Sequence, residues 1–586
     1  MKKILTKISS ILFAALICLS FAGCEFFDFS GPSSGQKLDT PTVVISYDGE
    51  AVWGEIDGAL YYVYVIDDGE EKPTSVCHVQ LEENQSIKVK AISGLDEYDD
   101  SDFSVPVTYK KINDSEHTHT DVNSDGKCDL CGDSVTVELS FYAVNDLHGK
   151  FMDTDNQPGV DEFTTYMKNL YADPEREEIL LASGDMWQGT VESSTNKGQL
   201  MTDWMNEMGF VSMTLGNHEY DWGAAVLNPN SEKANFPFLA INVRQNGSEV
   251  DYCQASTVVE KGGVKIGIIG AIGDCLSSIS GDFTDGLYFA TDSMLTSLVK
   301  LEAARLREEE NCDFIVYSIH DGGSGFGSGI TSVTNSQMSW YDSSLSNGYV
   351  DLVFEAHTHQ AYILKDEFGV YHLQAGGENR AISSAAVSFN TVTQTYSVTP
   401  RLIYASEYAN SSIVGDSVVE DIFTEYFPTE NPYTTVLGAN RSKKYSDAVC
   451  EKVAELYYRK GLEKWGNQYV IALGGGYLKT RSPYNLDAGN VTYADLFSIL
   501  PFDNEIVLGK ISGSDLKSKF LAGRDNYYTY SAITTSQVSD SQTYFIIVDS
   551  YTSTYKYNRI TEVARLGSGI YARDLLADFI RGGGWA

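Results

Sequence analysis

The stretch Val211-Ser212-Met213-Thr214-Leu215-Gly216-Asn217-His218-Glu219-Tyr220-Asp221 decides the fold: a short strand-like segment breaks at a glycine into an amide, an imidazole and two carboxylates. The same device recurs on either side. Val135 to Val144 runs into Asn145-Asp146-Leu147-His148-Gly149, and Ile179-Leu180-Leu181-Ala182 into Ser183-Gly184-Asp185-Met186-Trp187-Gln188-Gly189. Further on, Phe314 to Ile319 ends at His320-Asp321-Gly322-Gly323, and Val350 to Ala356 at His357-Thr358-His359. Short apolar runs suit strands buried on both faces, and helical stretches between them, such as Met294 to Glu310, suit parallel crossovers. Ligands of such sheets bind beyond the C-terminal strand ends. The pattern predicts a layered α/β domain over 135–405 with its site where these five loops emerge.

The loops carry Asp146, His148, Asp185, Asn217, His218, Asp221, His320, His357 and His359. Aspartate, asparagine and histidine are ligands for divalent metals of borderline hardness. A lone histidine at a strand end is more often structural, but five of the chain's nine stand here. This order of motifs closely resembles the calcineurin-like metallophosphoesterases, especially the secreted 5′-nucleotidases, over about Val135 to Ala405. The resemblance implies an α/β four-layer sandwich holding two divalent ions. Asp146, His148 and His359 would hold one, Asn217, His320 and His357 the other, with Asp185 bridging. It also implies that His218 faces the phosphoryl group and that Asp221 orients it. The motif does not distinguish Mn, Zn, Fe, Mg and Co. Such a centre suits phosphate esters, because two ions about 3.5–4 Å apart neutralise anionic oxygens and lower the pKa of a bridging water.

Residues 406–432 contain an amphipathic stretch, Val414 to Phe427, that resembles the family's linker helix. Residues 433–586 resemble its α+β C-terminal substrate-binding domain. The clearest pieces are Ala472-Leu473-Gly474-Gly475-Gly476, Lys479-Thr480-Arg481, Gly489 to Phe497, and Leu500-Pro501-Phe502-Asp503-Asn504. A glycine run permits close backbone approach. Arg481 can fork onto a phosphate or carboxylate, and Phe502 can stack on a base. The chain departs from its relatives where they read Asn-Gly-Gly-Gly-Ile-Arg: the usual arginine is Leu478, with Lys479 and Arg481 as substitutes. The usual second stacking aromatic has three candidates, Tyr551, Tyr555 and Tyr557.

Upstream, Lys2, Lys3 and Lys7 precede the apolar run Ile8 to Ala22, too short for a comfortable membrane span. It ends in Phe21-Ala22-Gly23-Cys24, which resembles a bacterial lipoprotein processing site, with Phe21 where leucine is usual. That implies removal of 1–23, lipid on Cys24 and a tether over 24–37; an ordinary secretory peptide is the alternative. Residues 38–111 show short alternating runs with turn residues between them, the mark of an all-β sandwich. They resemble a fibronectin type III module with Trp53 as its core tryptophan. Between them and the α/β domain, residues 112–134 carry His117, His119, Cys128 and Cys131, a tetrahedral zinc set. They also carry Asp121, Asn123, Asp125, Gly126 and Asp129, most of a calcium loop whose closing glutamate is replaced by Gly132. Zinc, calcium and plain linker all remain open on spacing alone.

Composition narrows the partners. The chain has 586 residues, 81 Asp+Glu against 42 Lys+Arg and a net charge of −39. At about 150 residues per domain this is a multidomain protein. Its field repels nucleic acid polymers, so any phosphate must be held locally by cations. The remaining cysteines are too few and too scattered for a disulfide framework. The whole reads as an exported, lipid-anchored phosphoric ester hydrolase that frees the 5′-phosphate of nucleoside monophosphates, on the outer face of a bacterial membrane. A cyclic-nucleotide phosphodiesterase and a nucleotide-sugar hydrolase are the alternatives in the same fold. A surface adhesion protein with an inactive phosphatase domain is the alternative of another class, and the partner of the sandwich is not specified.

Overall fold

The computed structural model describes residues 36–46, 49–95, 98–111, 119–121, 125–153, 158–173, 177–279, 283–284, 286–326, 329–409, 413–429, 431–481, 484–523, 526–567 and 569–585. The expected signal segment, the Cys24 lipid site and His117 lie outside them. Among the described residues no helix is long and apolar enough to cross a membrane. The chain divides into two compact units, Met1–Glu138 with Ser388–Ser397, and Leu139–Val387 with Val398–Ala586.

The first unit is built from strands. Val43–Ile45, Glu50–Trp53 and His78–Gln80 form one antiparallel sheet; Lys72–Thr74, Ala59–Ile66, Ser86–Ser93 and Val107–Thr108 form another. Alternation decides which side chains go inside: Ile87, Val89 and Ala91 are buried along one strand while their neighbours are not. They share a core with Trp53 and Tyr62, whose rings meet edge to face at 5.8 Å. Burying a tryptophan removes about 150–250 Å² from water, worth roughly 4–6 kcal/mol.

In the second unit two sheets carry the site. The first has the spatial order Phe238–Leu239, Ser212–Thr214, Glu177–Ala182, Thr136–Val144, Ala381–Asn390, Thr395–Tyr404, and its first four strands run parallel. The second has the order Ser256–Lys261, Val264–Ile272, Phe314–His320, Leu352–Phe354, Tyr371–Ala375, Ala361–Lys365, Ile330–Ser332. Its central strands are parallel as well. Phe314–His320 is buried at every position, as a strand covered on both faces must be. The sheets meet through Phe141 stacked on Phe314, and through a hydroxyl relay in which Thr214 donates to Ser318 at 2.7 Å and Ser318 to Ser183 at 3.0 Å. Helix Asp292–Glu308 buries Leu295, Val299, Ala303 and Leu306, spacings of three and four that make one face. It lies where Met294 to Glu310 was expected, with Asp292 in its first turn and Arg305 and Arg307 in its last, matching its dipole.

Helix Ser417–Tyr426 follows, within the expected Val414–Phe427. The C-terminal region has a five-stranded sheet in the order Tyr527–Ser531, Ile471–Tyr477, Thr543–Asp549, Ile506–Ser512, Thr561–Arg565, backed by helix Ser446–Trp465. Here the close backbone approach expected of the glycine run is found. Gly474 lies inside the strand Ile471–Tyr477, and a Cβ there would fall 2.3 Å from the Tyr458 amide nitrogen of that helix. Gly474 lets helix and strand approach each other. Tyr557 is likewise a core residue at 8% exposure, which removes it from the stacking candidates.

Candidate active site

All five polar loops leave the C-terminal ends of parallel strands and converge. Five of the residues expected to bind metal hold left-handed backbone: Asp146, His148, Asp185, His357 and His359, with φ of 51°, 50°, 55°, 69° and 55°. Each such residue costs about 1 kcal/mol or more, and surrounding bonds must hold it there. They do so reciprocally. Asp146 N–H donates to Gly184 O at 2.9 Å and His148 N–H to Asp185 O at 3.0 Å. His357 N–H reaches Asp146 Oδ2 at 2.9 Å, and His218 N–H reaches Asp185 Oδ1 at 2.8 Å. Gly216 leaves room for Asp185: a Cβ there would sit 2.3 Å from Asp185 Oδ1.

The side chains group as expected. Asp146, His148 and His359 bring one donor atom each within 4.8 Å of one another, and so do Asp185, His320 and His357. Asn217, directly before His218, is fully buried, with neither its Oδ1 nor its Nδ2 hydrogen-bonded. Asp146 Oδ1 and His320 Nε2 are also buried without a hydrogen-bond partner. Yet Asp146 Oδ1 is 3.2 Å from His359 Nε2, and His320 Nε2 is 3.2 Å from Asp185 Oδ2. Buried polar atoms that crowd together without bonding one another are costly unless something binds them all. Two of the histidines have their other ring nitrogen committed: His148 Nδ1 faces Gln188 O at 2.9 Å and His320 Nδ1 faces Ser183 O at 2.8 Å. That arrangement presents Nε2 to the site, the usual orientation of a metal-binding imidazole. Burial pushes His148 down to about 4, keeping it in the neutral, ligating form. Burial would raise the Asp185 carboxyl, but His320 and His218 hold it well below the usual carboxylate range. The donor set fits divalent ions.

His218 and Asp221 form the expected pair, with Nδ1 and Oδ2 2.7 Å apart. Burial would lower the His218 pKa, but Asp221 and then Asp185 outweigh it and raise it to about 10. His218 also comes within ligating reach of His148 and Asp185.

Two buried residues escaped the sequence reading. Glu219 takes Met186 N–H on Oε1 at 2.8 Å, and Asp185 N–H and Gly216 N–H on Oε2 at 2.9 and 2.7 Å. It ties the loop of Asp185 to the loop of Asn217. Burial, then Asp185, raises its carboxyl to about 7. Arg573 is the second: its Nη1 donates to the carbonyls of Leu500, Pro501 and Phe502 at 3.3–3.4 Å, and its Nη2 pairs with Asp503. Asp503 also accepts from Trp222 Nε1 at 3.2 Å, next to Asp221. The Phe502 loop is thereby fastened beside the loop of His218 and Asp221. Phe502 is 37% exposed, and the Arg481 guanidinium lies 4.9 Å over its ring. The structure brings these two together; Lys479 is exposed, and Leu478, at the usual arginine position, is core. Tyr555 donates to Ile279 O at 2.9 Å and stacks obliquely on Tyr551.

Residues 139–361 match the calcineurin-like phosphoesterase family, and residues 442–568 match the 5′-nucleotidase C-terminal domain. The chain is 24% identical to protein UshA of Yersinia enterocolitica over 442 residues, covering 66% of this chain and 76% of that one. It is 36% identical to the snake venom 5′-nucleotidase of Gloydius brevicauda over 150 residues, 23% of this chain and 25% of that one. The fold is similar to that of a putative 5′-nucleotidase from Staphylococcus aureus, with a TM-score of 0.54 at 18% identity over 76% of this chain and 97% of the other. Calcineurin-like phosphoesterases use a dinuclear divalent metal centre, and the Asp/His clusters above are where this chain could hold one.

Proposed function

Because the chain joins a calcineurin-like phosphoesterase domain to a 5′-nucleotidase C-terminal domain and is a metal-dependent phosphoric ester hydrolase, we propose that it releases the 5′-phosphate of nucleoside monophosphates outside the cell. The observation that carries this reading is the placement of an exposed aromatic, Phe502, on a loop pinned through Asp503 to Trp222 beside the catalytic pair. Two divalent ions held by Asp146, His148, His359, Asn217, His320, His357 and the shared Asp185 would neutralise phosphoryl oxygens and lower the pKa of water. The chain's own groups do the rest. His218, with Nδ1 on Asp221, keeps Nε2 to donate a hydrogen bond or proton to a phosphoryl oxygen. Glu219 keeps the Asp185 and Asn217 loops in register. Phe502 would stack on the base, worth about 1–3 kcal/mol, while Arg481 contacts the nucleoside end of the substrate.

Further proposals concern placement. The signal segment directs export, Cys24 carries a lipid anchor, and residues 38–111 act as a fibronectin type III-like spacer whose three- and four-stranded sheets suit that assignment. The test of function is phosphate release from AMP, a 2′,3′-cyclic nucleotide, a UDP-sugar and p-nitrophenyl phosphate, with Mn²⁺, Zn²⁺, Mg²⁺ or Co²⁺ added. The proposal expects the highest kcat/KM on AMP. A higher value on the cyclic nucleotide or the UDP-sugar would reassign the substrate, and p-nitrophenyl phosphate equal to AMP would remove nucleotide recognition from the account.

A further inference from the structure

Apart from the hydrolytic site, one group of histidine and cysteine side chains among the described residues lies close enough to share an ion: His119, Cys128 and Cys131. We propose that these three hold a structural Zn²⁺ that pins the segment leading into the strand Thr136–Val144.

Their donor atoms lie within 4.8 Å of one another, and Cys131 Sγ is 3.7 Å from His119 Nδ1. Zinc bonds of about 2.3 Å to sulfur and 2.0–2.1 Å to nitrogen at tetrahedral angles put neighbouring donors about 3.5–3.8 Å apart. The separation of Cys131 from His119 matches that span, and Cys128 lies within 4.8 Å of both. The backbone is shaped for it: Gly132 N–H donates to Cys128 O at 2.8 Å and Cys128 N–H to Asp133 O at 2.9 Å, closing a tight turn around Cys-x-x-Cys. Gly132, directly after Cys131, has φ of +79°, a conformation that glycine takes without strain. Asp129 N–H donates to Thr120 O at 2.7 Å, which holds the residue after His119 against the turn. Val135 N–H donates to Gly126 O at 3.0 Å, so the turn is joined directly to the start of the following strand.

The competing calcium site fits less well. Calcium wants six to eight oxygens, and the first of this loop, Asp121, already accepts Asp125 N–H, Gly126 N–H and the Asn390 side-chain amide. Those bonds fold the loop and fasten it to the hairpin tip of the same unit. Two thiolates and an imidazole select zinc instead. Cys128 is fully buried, and neither Cys128 nor Cys131 is spent in a disulfide among the described residues. A segment this short buries little apolar surface, and an ion that binds only its folded form supplies folding free energy directly.

The test uses the full-length chain purified under reducing conditions, beside its Cys128→Ser/Cys131→Ser variant. Elemental analysis should find one zinc fewer in the variant. Co²⁺ substitution should give the wild type a near-ultraviolet thiolate-to-metal charge-transfer band, because the hydrolytic site contributes no sulfur. The variant should lack that band, hydrolyse p-nitrophenyl phosphate with saturating Mn²⁺ to within about twofold of wild type, and be cut by protease within 112–134. Should the variant fail to fold, the wild-type cobalt spectrum decides alone. Absence of the band from the reduced wild type, equal zinc in both proteins, a band that persists in the variant, or a Cys128–Cys131 disulfide in the untreated protein would overturn the proposal.

Discussion

Glu219→Gln keeps the shape of a fully buried side chain and removes one acceptor. The carboxylate serves three backbone N–H groups, those of Met186, Asp185 and Gly216. If the amide oxygen takes the place of Oε2, it keeps two of them, and the new NH₂ faces the Met186 N–H. The opposite rotamer strands two donors. An unpaired buried donor costs about 1–3 kcal/mol, so this is the smallest expected loss of stability. Spread over a domain of this size it lowers Tm by about 2–12 °C. The same bonds set the distance between the Asp185 and Asn217 loops, and if the loss falls on the transition state as well, kcat drops by about 5- to 150-fold. The assay is p-nitrophenyl phosphate hydrolysis at saturating Mn²⁺ beside a thermal melt of the same sample. Unchanged Tm and unchanged kcat would show that Glu219 does not hold the two loops.

His218→Asn should cost about 100- to 10,000-fold in turnover while both ions stay bound; loss of an ion by metal analysis would make His218 a ligand of the kind its neighbours His148 and Asp185 allow. Phe502→Ala should lower kcat/KM for nucleotides by about 5- to 150-fold and leave p-nitrophenyl phosphate unaffected. Equal losses on both substrates would make Phe502 a support of the fold. Arg573→Lys keeps the charge beside Asp503 but not the fork onto the Leu500, Pro501 and Phe502 carbonyls, so nucleotides should lose about 5- to 30-fold, or ~1–2 kcal/mol. A parallel loss on p-nitrophenyl phosphate would refute its role in positioning the loop.

The candidate metal loops are legible because their signal is local. An apolar run that ends in Asp or His states both a buried strand and what stands at its end, and the structure brings Asp146 together with His148 and His359, and Asp185 with His320 and His357. Glu219 stood inside a quoted motif and was still missed, because a carboxylate that serves backbone N–H groups about thirty residues away has no signature of its own. Arg573 is harder still: it lies on helix Ala572–Arg581, some seventy residues beyond the loop it grips. The glycine run announces a close approach, but not that a helix is what comes near Gly474, since a sequence does not name the neighbour. Arg481 and Phe502 were chosen from their motifs, and their 4.9 Å contact follows from the turn between helix Tyr493–Ile499 and the sheet, which composition does not report.

The centre itself is tested most directly by crystals grown with Mn²⁺ and measured for anomalous scattering. The account predicts two peaks with Asp185 between them, one beside Asp146, His148 and His359 and the other beside Asn217, His320 and His357. A single peak, or two peaks of which only one touches Asp185, would contradict it.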